Sequence, residues 1–249
     1  MVNFNICLAE RVISVNANYE STLEFCKDYL TDKEADFSVS VSENDIATES
    51  TKSDEERRLE GLPPFKYPSD YLETLALYRK IAEGLVEFGV ILFHGSAISV
   101  DGEAYIFTAK SGTGKSTHTR LWRQLHGDKA VMINDDKPLI AIKDGKAIVY
   151  GTPWNGKHGL GTNTSAPIKA ICILERAEKN NIRRESVRNV FGQIFSQTYR
   201  FSSPIGMKQT LEILEGMMSI VPVYRLGCNM DIEAAEVAYN GMRGHKNEA

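Results

Sequence analysis

Apolar residues recur along the chain at two spacings, and the change between them marks the elements. VNFNICL and VISVN, within the first 17 residues, have the short apolar character of strands. YESTLEFCKDYL (19–30) has helical spacing, and DFSVSVSE (36–43) alternates with period two. Residues 46–64 are polar and of mixed charge, and read as a polar helix or connector closed by Pro63-Pro64. Across 69–89, Leu72, Leu75, Leu77, Ile81 and Leu85 line an amphipathic helix, with Ser69 as its N-cap and Glu73 in its first turn.

From residue 90 the pattern turns strand-rich. VILFHGSAISV leads to a hairpin turn at Asp101-Gly102, and AYIFTA follows. STHTRLWRQL (116–125) reads as a helix with Leu121, Trp122 and Leu125 inward. AVMINDD (130–136), PLIAIK, a turn at Asp144-Gly145, KAIVYG and PIKAICILER (167–176) continue the strands. The tail, 184–249, reads as three helices with short connections, the last being DIEAAEVAYNGM. The expectation is an α/β fold with a mixed, hairpin-rich sheet. Residues 1–64 form a small α+β piece with its connector, and residues 65–249 form the main domain with C-terminal helices.

One segment carries chemistry. Ser111-Gly112-Thr113-Gly114-Lys115-Ser116 lies between the strand AYIFTA and a helix, with Thr117 next. Glycines let successive backbone N–H groups turn inward around a phosphate. Lys115 brings a positive charge to the terminal phosphates, the Ser116 hydroxyl suits Mg²⁺, and the helix offers its positive end. The strict pattern has Gly six residues before the Lys, where this chain has Ala109. Asp135 and Asp136 end the next strand, twenty residues after Lys115. There a carboxylate can hold Mg²⁺ or deprotonate an attacking hydroxyl, and the sequence leaves open which residue does which. His94 closes VILFH, which places that strand beside the phosphate-loop strand with the imidazole towards the phosphates. GTPWNGKHGLGTNTSAP (151–167) is a long Gly-rich loop that suits an anionic substrate through Lys157. His118 and His126 read as surface or packing residues, Arg176, Arg183 and Arg184 as solvated surface, and His245 as a frayed end.

Composition narrows the class. The net charge is −4, with no basic excess for nucleic acid or an anionic membrane. Cys7, Cys26, Cys172 and Cys228 are scattered without metal-ligand spacing, as in a reduced, cytoplasmic protein. No apolar run reaches the ~18 residues of a membrane span, and the first residues lack the pattern of a signal peptide.

FHGSAISVDGEAYIFTAKSGTGKSTHTRLW followed by VMINDDKP resembles the nucleotide-binding core shared by HPr kinase/phosphorylase and ATP-dependent phosphoenolpyruvate carboxykinase, over about residues 90–175. The resemblance implies a P-loop kinase core with ATP and Mg²⁺ as cofactors. Ser111 to Thr117 would bind the nucleotide, Ser116, Asp135 and Asp136 the metal, and Asp135, Asp136, His94, Lys115 and Lys157 would form the catalytic set. In the carboxykinases the corresponding His ligates a metal, and in the HPr kinases one Asp of the pair acts as base. The carboxykinases' oxaloacetate-binding Arg has no counterpart here, and Thr117 stands where HPr kinases usually have Glu. The expected activity is ATP-dependent phosphoryl transfer to a hydroxyl of a protein, peptide or small metabolite, with a homo-oligomer as an open possibility. The alternatives are a carboxykinase-type lyase and a nucleotide-binding regulatory module without turnover.

Overall fold

A computed structural model describes residues 1–59, 61–110, 112–156, 158–201 and 203–244. The chain divides into two compact units, residues 1–85 and 86–249.

The first unit opens with strands β1 (Val2–Leu8) and β2 (Arg11–Ala17), which pair antiparallel. Ala9 and Glu10 make their turn with positive φ (47° and 64°) and without glycine. Helix α1 (Glu20–Phe25) leads through a 3₁₀ turn to β3 (Phe37–Ser40), which pairs parallel to β2. Helices α2 (Glu43–Leu59) and α3 (Ser69–Leu85) complete the unit. The sequence reading assigned the 69–89 segment to the main domain. Its helix packs here because Leu72, Leu77, Ile81 and Leu85 are all buried, with contacts to β2, β3, α1 and α2. Glu73 is fully buried on α3 and accepts hydrogen bonds from Asn18, Tyr19 and Thr22, so it fixes the start of α1.

The second unit is built on one mixed sheet. Its strands are β4 (Val90–Leu92), β5 (Ser96–Val100) and β6 (Glu103–Thr108), then, after helix α4 (Lys115–His126), β7 (Ala130–Asn134), β8 (Leu139–Lys143), β9 (Lys146–Tyr150), β10 (Ser165–Arg176) and β11 (Asn181–Arg184). Helices α5 (Val187–Phe195) and α6 (Pro204–Ile220), strand β12 (Val223–Cys228) and helix α7 (Glu233–Met242) follow. The order is β4-β8-β9-β10-β6-β5-β7, and β12 pairs with both β10 and β11. Asp101-Gly102 and Asp144-Gly145 make the expected hairpins, each with positive φ at both residues. The mixed α/β architecture is the one the sequence pattern predicts.

Two expectations fail in the strands. VILFH does not lie beside the phosphate-loop strand: β4 pairs antiparallel with β8, while Ser96–Val100 pairs with β6. The chain crosses from one set of neighbours to the other at His94-Gly95, where the backbone N–H groups bond to the carbonyls of Gln197 and Asp136 instead of to a strand. The tail also holds more than helices. β12 runs parallel to β10 from Ile171↔Val223 to Arg176↔Cys228. Pro222 and Gly227 border and interrupt that apolar run, which hides its strand character from a helix-weighted reading.

Apolar residues fill both faces of the sheet. On one face Ile106, Ile133, Ile171 and Val223 pack with Val190 and Ile194 of α5 and Leu214 and Met217 of α6. On the other, Ile98, Tyr105, Phe107 and Cys172 pack with Leu121 and Trp122 of α4 and Ala234, Ala235 and Ala238 of α7. No helix among the described residues is long and apolar enough to cross a membrane.

Candidate active site

Strand direction gathers the chemistry at one edge. β5 is antiparallel to both β6 and β7, so the C-terminal ends of β6 and β7 flank the start of β5. β10 runs parallel to β6, and β12 to β10, so their C-terminal ends reach the same edge. Open α/β sheets bind ligands beyond the carboxyl ends of their strands.

The phosphate-type loop leaves β6 at Thr108 and enters α4 at Lys115. Gly112 (φ 73°) and Gly114 (φ 124°) hold backbone conformations that L side chains rarely adopt, which explains glycine at both. Ala109 needs no glycine: its φ is not positive, and its small side chain is buried in the same core cluster as Leu121. Ser111 lies outside the described residues. Lys115, Ser116 and Thr117 form the first turn of α4, with Ser116 exposed. Arg176, at the end of β10, donates from Nη2 to the Gly112 carbonyl at 2.6 Å. It is therefore a contact of the loop rather than plain solvated surface.

The acid pair sits at the end of β7, and Asn134 organises it. Asn134 Oδ1 accepts from the backbone N–H groups of Asp136 (2.8 Å) and Lys137 (2.6 Å). Its Nδ2 donates to Thr152 Oγ1 (3.0 Å) and to the Trp154 carbonyl (3.3 Å), tying the turn to the 151–167 loop. This buried amide is not singled out by the sequence, where nothing distinguishes it from an ordinary polar residue at a strand end. Trp154 anchors the loop in the core. Lys157, expected to project from this loop, lies outside the described residues.

The two carboxylates are committed differently. Asp135 is buried; its Oδ1 accepts from the Gly156 N–H at 2.6 Å, and its backbone carbonyl accepts from Ser96 Oγ. Its Oδ2 has no partner among the described residues. Asp136 faces an ammonium and an imidazole: Lys137 Nζ lies 2.6 Å from its Oδ2, and His94 Nε2 lies 3.3 Å from its Oδ1. Burial pushes the Asp136 carboxyl up, but the His94 hydrogen bond and the Lys137 charge outweigh it. They hold the group well below the usual carboxylate range. Lys115 Nζ reaches His94 Nε2 at 3.3 Å. Burial lowers the Lys115 pKa; the negative charge of Asp136 opposes that shift and Lys137 adds to it. His94, Lys115, Asp136 and Lys137 thus form one connected group.

Beside the loop lies a cavity of about 660 Å³. Gly112 and Gly114 line it from the loop and Thr117 from the first turn of α4; Leu174 of β10 and Cys228 of β12 also line it, with Ala177 and Met230 just beyond those strands. His118 also lines it and is 2% exposed, so its packing role is combined with a place on the cavity wall. His126 packs its ring against Tyr239.

Neither the known protein families nor the curated proteins include a match to this sequence. Among solved structures the chain is similar to the HPr(Ser) kinase/phosphatase from Coxiella burnetii, with 10% identity and a TM-score of 0.36. The match covers 60% of this chain and 95% of that one. At that similarity, the chemistry of the site rests on its own residues.

Proposed function

We propose that the protein is an ATP-dependent phosphotransferase acting on a hydroxyl acceptor. One arrangement supports this most: a glycine loop opening a helix, with Lys115 in hydrogen-bond reach of His94, which in turn contacts Asp136. In this reading the triphosphate lies on residues 109–117, and Lys115 turns from His94 to the β- and γ-phosphates. The nucleoside half extends into the cavity lined by Thr117, Leu174 and Met230.

The residues fit Mg²⁺. Asp135 offers a buried carboxylate oxygen with no partner among the described residues, and such an oxygen is costly unless a cation or proton meets it. No group of three His, Cys, Asp or Glu side chains converges among the described residues. That suits Mg²⁺, which one or two carboxylates hold together with phosphates and water. Asp135 and Ser116 would hold the ion, and its charge would offset that of the transferring group. Asp136, beside His94 and Lys137, would instead orient the acceptor hydroxyl and accept its proton. Phosphoryl transfer relies mostly on positioning and electrostatics, so a weakly basic carboxylate is adequate.

The test is incubation with ATP·Mg²⁺ and candidate hydroxyl acceptors, both peptides and small molecules, followed by nucleotide analysis and mass spectrometry. Formation of ADP with one added phosphoryl group on an acceptor supports the reading. Nucleotide binding without any product would favour a regulatory module. Decarboxylation of a keto acid would favour the lyase.

A further inference from the structure

His118 is a histidine whose protonation state its neighbours decide. Trp122 Nε1 has a hydrogen to give and no lone pair, and it lies 3.1 Å from His118 Nε2. Nε2 is therefore the acceptor, and the neutral ring carries its proton on Nδ1. Burial lowers the pKa of the ring to about 4, so it is neutral near pH 7. Phe107 packs edge-on against the imidazole, with ring centroids 4.6 Å apart, and limits its rotation. The Nδ1–H is buried and has no hydrogen-bond partner among the described residues. An unmet buried donor is costly, and a ligand can relieve that cost.

The cavity that His118 lines suits a ring-bearing ligand group. Leu174, Ala177, Cys228 and Met230 give it apolar walls, and Met230 is 75% exposed. Asn229, also on the wall, has its amide engaged with the Glu178 carbonyl, Asp231 Oδ2 and the Asp231 N–H. Lys115, Asp135, Asp136 and His94 are not on its lining. Arg176 and Glu178 are on the lining, and Arg176 Nη2 is engaged with the Gly112 carbonyl. A phosphate would favour the glycine loop and the helix end, whereas a neutral donor beside apolar walls suits a nucleoside.

We propose that His118 is a specificity-determining residue for the nucleotide: its Nδ1–H donates to an acceptor atom on the base or sugar of the nucleoside held in this cavity. The inference rests on the phosphate-loop reading given under Proposed function. It adds the group that distinguishes a nucleoside triphosphate from a bare polyphosphate chain.

Two substitutions separate this role from packing. His118→Gln places Oε1 near the Nε2 position, so Trp122 keeps its acceptor while the Nδ1 donor is lost. His118→Asn places Nδ2 near the Nδ1 position, so the donor stays while Trp122 loses its partner. Titration calorimetry with ATP·Mg²⁺ and with inorganic triphosphate reads the outcome. His118→Gln is expected to weaken ATP about tenfold and to leave triphosphate within about twofold. His118→Asn is expected to keep ATP within about threefold while its thermal midpoint falls. A His118→Gln protein that binds ATP like wild type overturns the inference, as does one that loses ATP and triphosphate equally. If either variant fails to fold, ¹⁵N spectra of the wild-type ring decide. An Nδ1 signal that moves with ATP and not with triphosphate supports the contact, and one unmoved by ATP overturns it. Wild-type protein that binds neither ligand overturns the phosphate-loop reading, and this inference with it.

Discussion

Lys115 Nζ and His94 Nε2 stand 3.3 Å apart, and the same imidazole nitrogen lies 3.3 Å from Asp136 Oδ1. One ring nitrogen cannot accept from Lys115 and donate to Asp136 at once. The lysine and the carboxylate therefore compete for it. A bound phosphate that draws Lys115 away leaves His94 free to donate to Asp136 or to the transferring group.

Replacing His94 with Ala therefore leaves the phosphate-binding charge in place and removes a group at the reacting end. ATP affinity is expected to stay within about threefold, while turnover falls about 10²-fold or more. Single-turnover kinetics beside equilibrium binding would show this split. An unchanged kcat would remove His94 from the reaction.

Asp135→Asn and Asp136→Asn are expected to differ. Asp135 has no cation partner among the described residues, so its substitution should raise the Mg²⁺ concentration needed for activity with little effect on stability. Asp136→Asn removes the negative charge that Lys137 and His94 face. It should cost about 1–2 kcal/mol of stability and cut turnover by about 10²–10⁴-fold. Magnesium titrations and denaturant melts of both variants check this, and the opposite pattern would exchange the two roles.

The buried neutral His118 sets a pH dependence of stability. Its folded pKa, about 4, lies below the ~6.5 of an unfolded histidine, so the unfolded chain binds more protons between those values. The His118 contribution is constant above about pH 6.5 and declines as the pH falls to about 4, by about 3 kcal/mol in all. Denaturant unfolding at pH 7 and pH 4.5 should therefore show a smaller acid loss for His118→Gln than for wild type. Equal losses would mean that the ring is not buried neutral.

Arg176 holds the loop through the Gly112 carbonyl. Arg176→Ala is expected to change stability by less than about 0.5 kcal/mol, since the side chain is exposed, but to weaken ATP binding a few-fold. Calorimetry and thermal melting together test the pair of statements. A large stability loss with unchanged affinity would make Arg176 a structural tie.

The sequence declared those parts of the fold whose physics is local. Gly112 and Gly114 announce backbone conformations that other residues avoid, and Asp101-Gly102 and Asp144-Gly145 announce hairpins, all as the structure has them. The break between β4 and β5 was hidden, because VILFHGSAISV is apolar on both sides of His94 and only tertiary pairing divides it. β12 was hidden too, since Pro222 and Gly227 border and interrupt its apolar run and its partner β10 lies about 50 residues earlier in the chain. In the site, the Lys and Asp residues stood out by type and spacing. The roles of Asn134, Arg176 and His118 depend on which carbonyl, N–H or indole lies opposite each, and spacing along the chain does not encode that.

The most direct measurement is ATP·Mg²⁺ binding to wild type and to Lys115→Ala by titration calorimetry, with thermal melts of both. The account predicts saturable binding by wild type, at least about a tenfold loss in the variant, and melting midpoints within a few degrees of each other. A Lys115→Ala protein that binds ATP with wild-type affinity would contradict it.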